Sequence, residues 1–172
     1  MPSVEQLGFA LPATTREVEE FVASGGWDQP TQIFALVSTE TMLAAAPDMA
    51  DQLDPAASPL TPLAQESLPA QDLGEALARI EWPEQVIGCA LVQEIIVLPP
   101  EAEAELPDDE EGAGKIAAEH PDRREARLVA AVLRDDVAHS CVMRLRGEEE
   151  DEVFNDPSLA PNLLKALQAT FA

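Results

Sequence analysis

His139, Ser140 and Cys141 stand in consecutive positions, and a histidine beside a hydroxyl and a thiol is the raw material of nucleophile–base chemistry. The surrounding residues predict a strand, however, and successive strand side chains point to opposite faces. His139 therefore shares a face with Cys141 and not with Ser140. Strand residues at i and i+2 stand ~6–7 Å apart at the backbone, which suits a Cys–His pair. Against catalysis, Cys141 sits among apolar neighbours as a buried thiol would, and no oxyanion-stabilising element accompanies it. The other histidine, His120, precedes Pro121 and fits a helix terminus. The two histidines and two cysteines show no zinc-ligand spacing.

Carboxylates carry little information, because a chain with thirty-three acidic residues supplies pairs suited to acid–base work by composition alone. Neither PDDEEG nor GEEEDE has the alternating ligands and closing Glu of a calcium loop. The eight glycines form no phosphate-cradling loop and no dinucleotide fingerprint, so no cofactor is implied. Glu94 is the sharper case, because it interrupts an aliphatic run between Gln93 and Ile95. If that run is a strand covered on both faces, Glu94 needs Arg127, Arg144 or Arg146 as a partner, either as a structural ion pair or in a ligand site.

The two tryptophans form a pattern of their own. Each is followed eight residues later by Ala-Leu-Val, Trp27 by Ala35-Leu36-Val37 and Trp82 by Ala90-Leu91-Val92, at a constant offset of 55 residues. The pattern reads as one helix–Trp–strand unit used twice, with each indole plugging a corner between helix and sheet. On the alternative reading one or both are exposed contact residues. The candidates for binding are thus Trp27, Trp82, Glu94, His139, Arg144 and Arg146. No residue is singled out as catalytic or as a metal ligand.

The elements that must position these residues are organised around Gln85–Leu98, an aliphatic run with the character of a strand covered on both faces. Thr31–Ser38, Ala126–Arg134 and Ala138–Arg146 have strand character too, the last two joined as a hairpin around Asp135-Asp136-Val137. In the second arm Cys141, Met143 and Leu145 point one way and Ser140, Arg144 and Arg146 the other, so one face is expected to meet water or a ligand. Helices are predicted from a Thr14 or Thr15 cap to Gly25, with Glu17 and Glu19 in the first turn, and from Thr39 to Leu53 with a break at Pro47. Others are predicted from Asp72 to Trp82, in the short GKIAAEH segment, and across SLAPNLLKALQATFA. Asp54–Pro69, with four prolines, reads as a loop lying along the body of the domain. Residues 1–12 are expected to fray, and Glu101–Gly114 reads as a disordered acidic loop.

A chain of 172 residues suits one domain, 1–172, burying roughly 70% of its unfolded surface. Ten basic against thirty-three acidic residues give a net charge of −23. Such a field repels phosphate backbones and anionic lipid, which argues against nucleic-acid and membrane partners and favours solubility and basic partners. MPSVEQLG lacks the basic and apolar regions of a secretory signal, and no apolar run reaches the length of a membrane span, so a cytoplasmic location is expected. Cys89 and Cys141 then read as reduced, buried thiols; a disulfide would require their strands to be neighbours.

Four sets of residues carry a resemblance: Gly26-Trp27-Asp28-Gln29-Pro30 followed by Phe34-Ala35-Leu36-Val37; Trp82-Pro83 with Gly88-Cys89-Ala90-Leu91; Leu98-Pro99-Pro100-Glu101-Ala102-Glu103; and His120-Pro121-Asp122-Arg123 leading to Arg127-Leu128-Val129-Ala130. Across nearly the whole chain these residues resemble an uncharacterised actinobacterial protein family of unknown function. The resemblance implies a bacterial cytoplasmic protein and supplies no activity, cofactor or catalytic residue.

The expected fold is α+β, a mainly antiparallel sheet of about four or five strands flanked by helices. The function expected first is a non-enzymatic binding or interaction protein, with a protein partner or self-association. A small carrier of an apolar, lipid-like ligand comes second, and a hydrolase using carboxylates or His139 third. A closed apolar cavity would favour the carrier, convergent polar groups in a cleft the enzyme, and an open apolar patch the interaction protein.

Overall fold

The aliphatic run is the third strand of a sheet whose every pairing is antiparallel. The computed structural model describes residues 4–55, 58–68, 73–107, 110–134, 138–147, 150–156 and 159–171. Its elements are α1 (Val4–Ala23), β1 (Thr31–Ser38), α2 (Thr39–Ala45) with a 3-10 turn at Pro47–Met49, β2 (Leu60–Leu68), α3 (Leu73–Ala78), β3 (Val86–Val97), α4 (Pro100–Ala104), α5 (Glu110–Glu119), β4 (Arg124–Leu133), β5 (His139–Leu145), β6 (Glu152–Asn155) and α6 (Pro161–Ala169). The strand order is β2-β1-β3-β4-β5-β6. The chain is therefore α+β, with six strands among the described residues where four or five were expected.

Both additional strands lie at the edges. β2 falls within the proline-rich segment expected to be a loop, and it does lie along the body, paired with β1 from Leu60 opposite Ser38 to Leu68 opposite Thr31. It carries Pro62, and a strand with a neighbour on one side only tolerates the missing N–H donor. β6 lies in the acidic run after Gly147, where Val153 and Phe154 are two apolar residues among carboxylates.

Each face of the sheet is covered by a different helix. On one side Leu11, Val18 and Val22 of α1 pack on Phe34, Leu36, Val92, Val129 and Val142. On the other, Leu164 and Leu167 of α6 with Leu77 of α3 pack on Ile33, Leu91, Leu128, Val132 and Cys141. The alternation along β3 and β4 thus feeds two aliphatic layers, which is why these strands read as continuous apolar runs. The face of β5 expected to meet water or a ligand is instead largely covered by α1, with Ser140 buried and Arg144 bonded to Glu19.

α1 begins at Val4, well before the expected cap, so 4–12 is helical where fraying was expected. Thr14 and Thr15 are mid-helix, and their hydroxyls donate to the carbonyls of Ala10 and Leu11 at 3.0 and 2.7 Å. Pro12 lies inside the helix. The stripe Leu7, Leu11, Thr15, Val18, Val22 nevertheless runs through it at helical spacing, and Leu11 is fully buried. The acidic stretch holds α4 and α5, consistent with the helix propensity of Ala and Glu; Asp108 and Asp109 lie outside the described residues. The expected hairpin turn, Asp135-Asp136-Val137, also lies outside them, but its flanks close through the Leu133 N–H donating to Ala138 O at 2.9 Å.

The two helix–Trp–strand units supply neighbouring strands, β1 and β3, in register with Ala35 opposite Cys89 and Leu36 opposite Gly88. Because the pairing is antiparallel, Trp27 and Trp82 stand at opposite ends of the sheet. They also serve opposite faces, Trp27 on the α1 side and Trp82 on the α6 side. No helix among the described residues is long and apolar enough to cross a membrane.

Candidate functional site

Four of the six candidate residues meet at one end of the α1 face. The register places Glu94 of β3 opposite Arg127 of β4, and Arg127 opposite Arg144 of β5. A row of charges thus crosses the sheet where the two-layer core ends. Arg127 is only 1% exposed. Its Nη2 donates to Glu94 Oε2 at 3.2 Å and to the carbonyl of Gly26, while its Nε has no partner among the described residues.

Glu94 also takes hold of the loop after α1. Its carboxylate accepts the backbone N–H groups of Asp28 and Gln29, both at 2.9 Å. That requires an unusual chain path, with φ of 85° at Gly26 and 66° at Asp28. Gly26 adopts the left-handed region without penalty, and Asp is among the few other residues that tolerate it. Gln29 closes the helix end by donating from Nε2 to the carbonyls of Val22 and Gly26, each at 2.7 Å. The loop so fixed lays the half-buried Trp27 ring under two guanidiniums, Arg127 at 4.6 Å and Arg146 at 5.5 Å from the ring centre.

A second knot lies beside it. Glu19, expected in the first turn of the helix, is 0% exposed and takes a two-pronged bond from Arg144, with Nη2 to Oε2 at 2.9 Å. This contact holds the Arg144 guanidinium above its ordinary pKa. Arg144 also lies 3.6 Å from Asp151. The Gly147 N–H donates to Asp151 at 3.0 Å and is the main reason its carboxyl sits below the usual range; the Arg144 charge and the Trp27 indole add to it. Gly147 has no room for a side chain, since a Cβ there would meet Glu150 O at 1.8 Å. Arg146 pairs with Glu125 at the exposed rim. Glu94, Glu19, Asp151 and Glu125 are each engaged by arginine or backbone N–H, so the arrangement clamps two loops to the sheet.

Trp82 stands on the other face. Its indole N–H donates to Thr170 Oγ1 at 2.9 Å, and its ring stacks on Phe171 with centroids 5.9 Å apart. α6 packs mainly on β3 and β4. Beside Trp82 lies an open groove of about 570 Å³, lined by the nearly buried Ile33 and Ala35, the half-buried Leu63, and Ile80, Glu81 and Trp82. A smaller pocket of about 220 Å³ lies on the α1 face between Phe21, Phe34 and Pro62.

His139 belongs to neither place. It is exposed at the start of β5, whereas Cys141 is fully buried. Burial raises the Cys141 thiol pKa and pushes Cys89 up to about 12, so both stay protonated and un-nucleophilic at neutral pH. β4 separates their strands, and the two are not joined in a disulfide. No group of three or more potential metal ligands occurs among the described residues.

A family model described as PPA1309-like protein matches residues 11–172. The chain belongs to that family. Comparison with curated proteins and with solved structures gives no match. The matched span takes in both the Trp27 clamp and the Trp82 groove, and the family is an uncharacterised one, as the quoted motifs implied. Sequence reasoning missed the burial of Glu19, which it treated as a first-turn acid because the helix start was misplaced. It also missed the groove, which is bounded by a strand taken for a loop.

Proposed function

We propose that this PPA1309-like protein is a non-enzymatic interaction protein, and that its docking surface for a protein partner is the open groove beside Trp82. The observation that carries this reading is an open, largely apolar groove in which the half-buried Leu63 and the half-buried Trp82 stand beside the exposed Glu81. The groove opens to solvent along its length, so an acyl chain lying there would leave much of its surface in water. That favours a protein partner, which would bring its own cover, over a lipid carrier. The hydrolase reading lacks support, because the carboxylates near the arginines are engaged and both thiols are held protonated.

The test is titration of the full chain with a neutral, environment-sensitive apolar dye, read by dye emission and by quenching of tryptophan. One saturable site is expected, and Leu63→Glu, a substitution on an edge strand, should abolish it while far-ultraviolet circular dichroism stays unchanged. Dye binding that is absent, or equal in the folded variant, would sink the assignment of the groove.

A further inference from the structure

The polar groups around the groove narrow the kind of partner. Glu81 forms part of its wall, and Glu84 follows on the exposed turn before β3. Among the described residues neither is paired with a basic side chain. A guanidinium beside this turn, Arg134, is committed elsewhere: it donates to Pro83 O at 3.0 Å and to Val86 O at 2.9 Å, and stands 4.7 Å over the Phe171 ring. The rest of the chain offers little compensation. Arg79, Arg127, Arg144 and Arg146 are each spent on an internal carboxylate, and only two of the ten basic residues are lysines.

We infer that the partner is a protein segment bearing apolar side chains flanked by arginine or lysine, an inference that rests on the groove reading above. Its apolar side chains lie on Leu63 and Trp82, and its cations meet Glu81 and Glu84. The same charges select against other occupants. A fatty acid or phospholipid would bring negative charge to an acidic rim, and a second copy of this chain would bring another −23. A cationic segment gains twice, from steering by the whole acidic surface during approach and from direct pairing once seated.

The experiment uses the isotope-labelled full chain and two synthetic peptides of equal length, one with leucines flanked by arginines and one with glutamines replacing the arginines. Binding is followed by the NMR signal of the Trp82 indole N–H, at low and at moderate salt. The cationic peptide should move that signal and bind about tenfold more tightly than its neutral twin at low salt, with the advantage shrinking as salt rises. Glu81→Gln with Glu84→Gln, both exposed and unpaired, should remove most of the advantage, and Gln65→Arg at the groove edge should weaken the cationic peptide in particular. Equal binding of the two peptides overturns the charge inference and leaves the groove reading intact. Cationic binding that leaves the Trp82 signal still and ignores Gln65→Arg overturns it as well, since it would then be diffuse attraction to the acidic surface. If neither peptide binds but the neutral dye does, the inference fails alone; if the dye fails too, the groove reading fails with it.

Discussion

Glu94→Gln tests the clamp most directly, because the substitution keeps the shape and removes the charge. In the wild-type protein one carboxylate accepts two backbone N–H groups at 2.9 Å and pairs with Arg127, which is 1% exposed. Breaking a fully buried ion pair by removing one partner costs ~3–5 kcal/mol, because the other charge is left unpaired. Glu94 is itself 21% exposed, which lets water relieve part of that cost, so a loss of about 2–3 kcal/mol is expected. The assay is equilibrium unfolding in urea, where such a loss lowers the midpoint by roughly 1 M at unchanged m. The amides of Asp28 and Gln29 should exchange faster in the same variant, because they lose their acceptor. Arg127→Met supplies the other arm of a double-mutant cycle. The double variant should be more stable than Glu94→Gln alone, since it no longer buries an uncompensated guanidinium. A loss below about 1 kcal/mol for Glu94→Gln, or strict additivity in the cycle, would refute the reasoning.

Three further outcomes follow from other parts of the molecule. Trp82→Ala should cost about 2–3 kcal/mol, somewhat under the value for a fully buried tryptophan, and Trp82→Phe clearly less because the stack on Phe171 survives; thermal melts of both variants check this. Alkali should destabilise the fold: the Cys89 thiol ionises near pH 9 when unfolded but only at about 12 when folded, so the unfolded state binds fewer protons in between. Stability is therefore full below about pH 9 and falls by up to about 1.4 kcal/mol per unit above it, a slope that Cys89→Ala should flatten in urea titrations at pH 8 to 11. Melting temperature should rise with sodium chloride as the Debye length falls from ~10 Å at 0.1 M to ~3 Å at 1 M, and a flat or falling curve would mean that the arginine pairs already offset the acidic repulsion.

The parts of the fold legible in the sequence are those whose burial is strongest. β3, β4 and β5 lie between two apolar layers, so their composition alone marked them as strands, and the stripe of α6 marked its helix. The need of Glu94 for an arginine was legible too, because a charge inside an apolar strand has few alternatives, and Arg127 proved to be the cross-strand partner. Edge elements were not legible. β2 and β6 meet one neighbour each, so proline and acidic residues are tolerated there, and the prolines around β2 suggested a loop. The meeting of Trp27 with Arg127 and Arg146 spans about a hundred residues and depends on strand order, which local pattern does not encode. The groove is harder still, since its lining comes from β1, β2 and the segment before β3, which only the strand order brings together.

The burial of both cysteines has a practical side. With Cys89 and Cys141 shielded and protonated, a cysteine introduced at Gln65 would be the reactive thiol at the groove edge, able to carry a photoactivatable label without disturbing either native sulfur. The scarcity of lysine works in the same direction, because amine-directed reagents have only Lys115, Lys165 and the chain terminus to attack on this protein, while a basic partner would offer many such groups. A label at position 65 would therefore transfer onto whatever occupies the groove in the cell, and the attachment point on the captured chain would read out which of its residues had lain against Trp82.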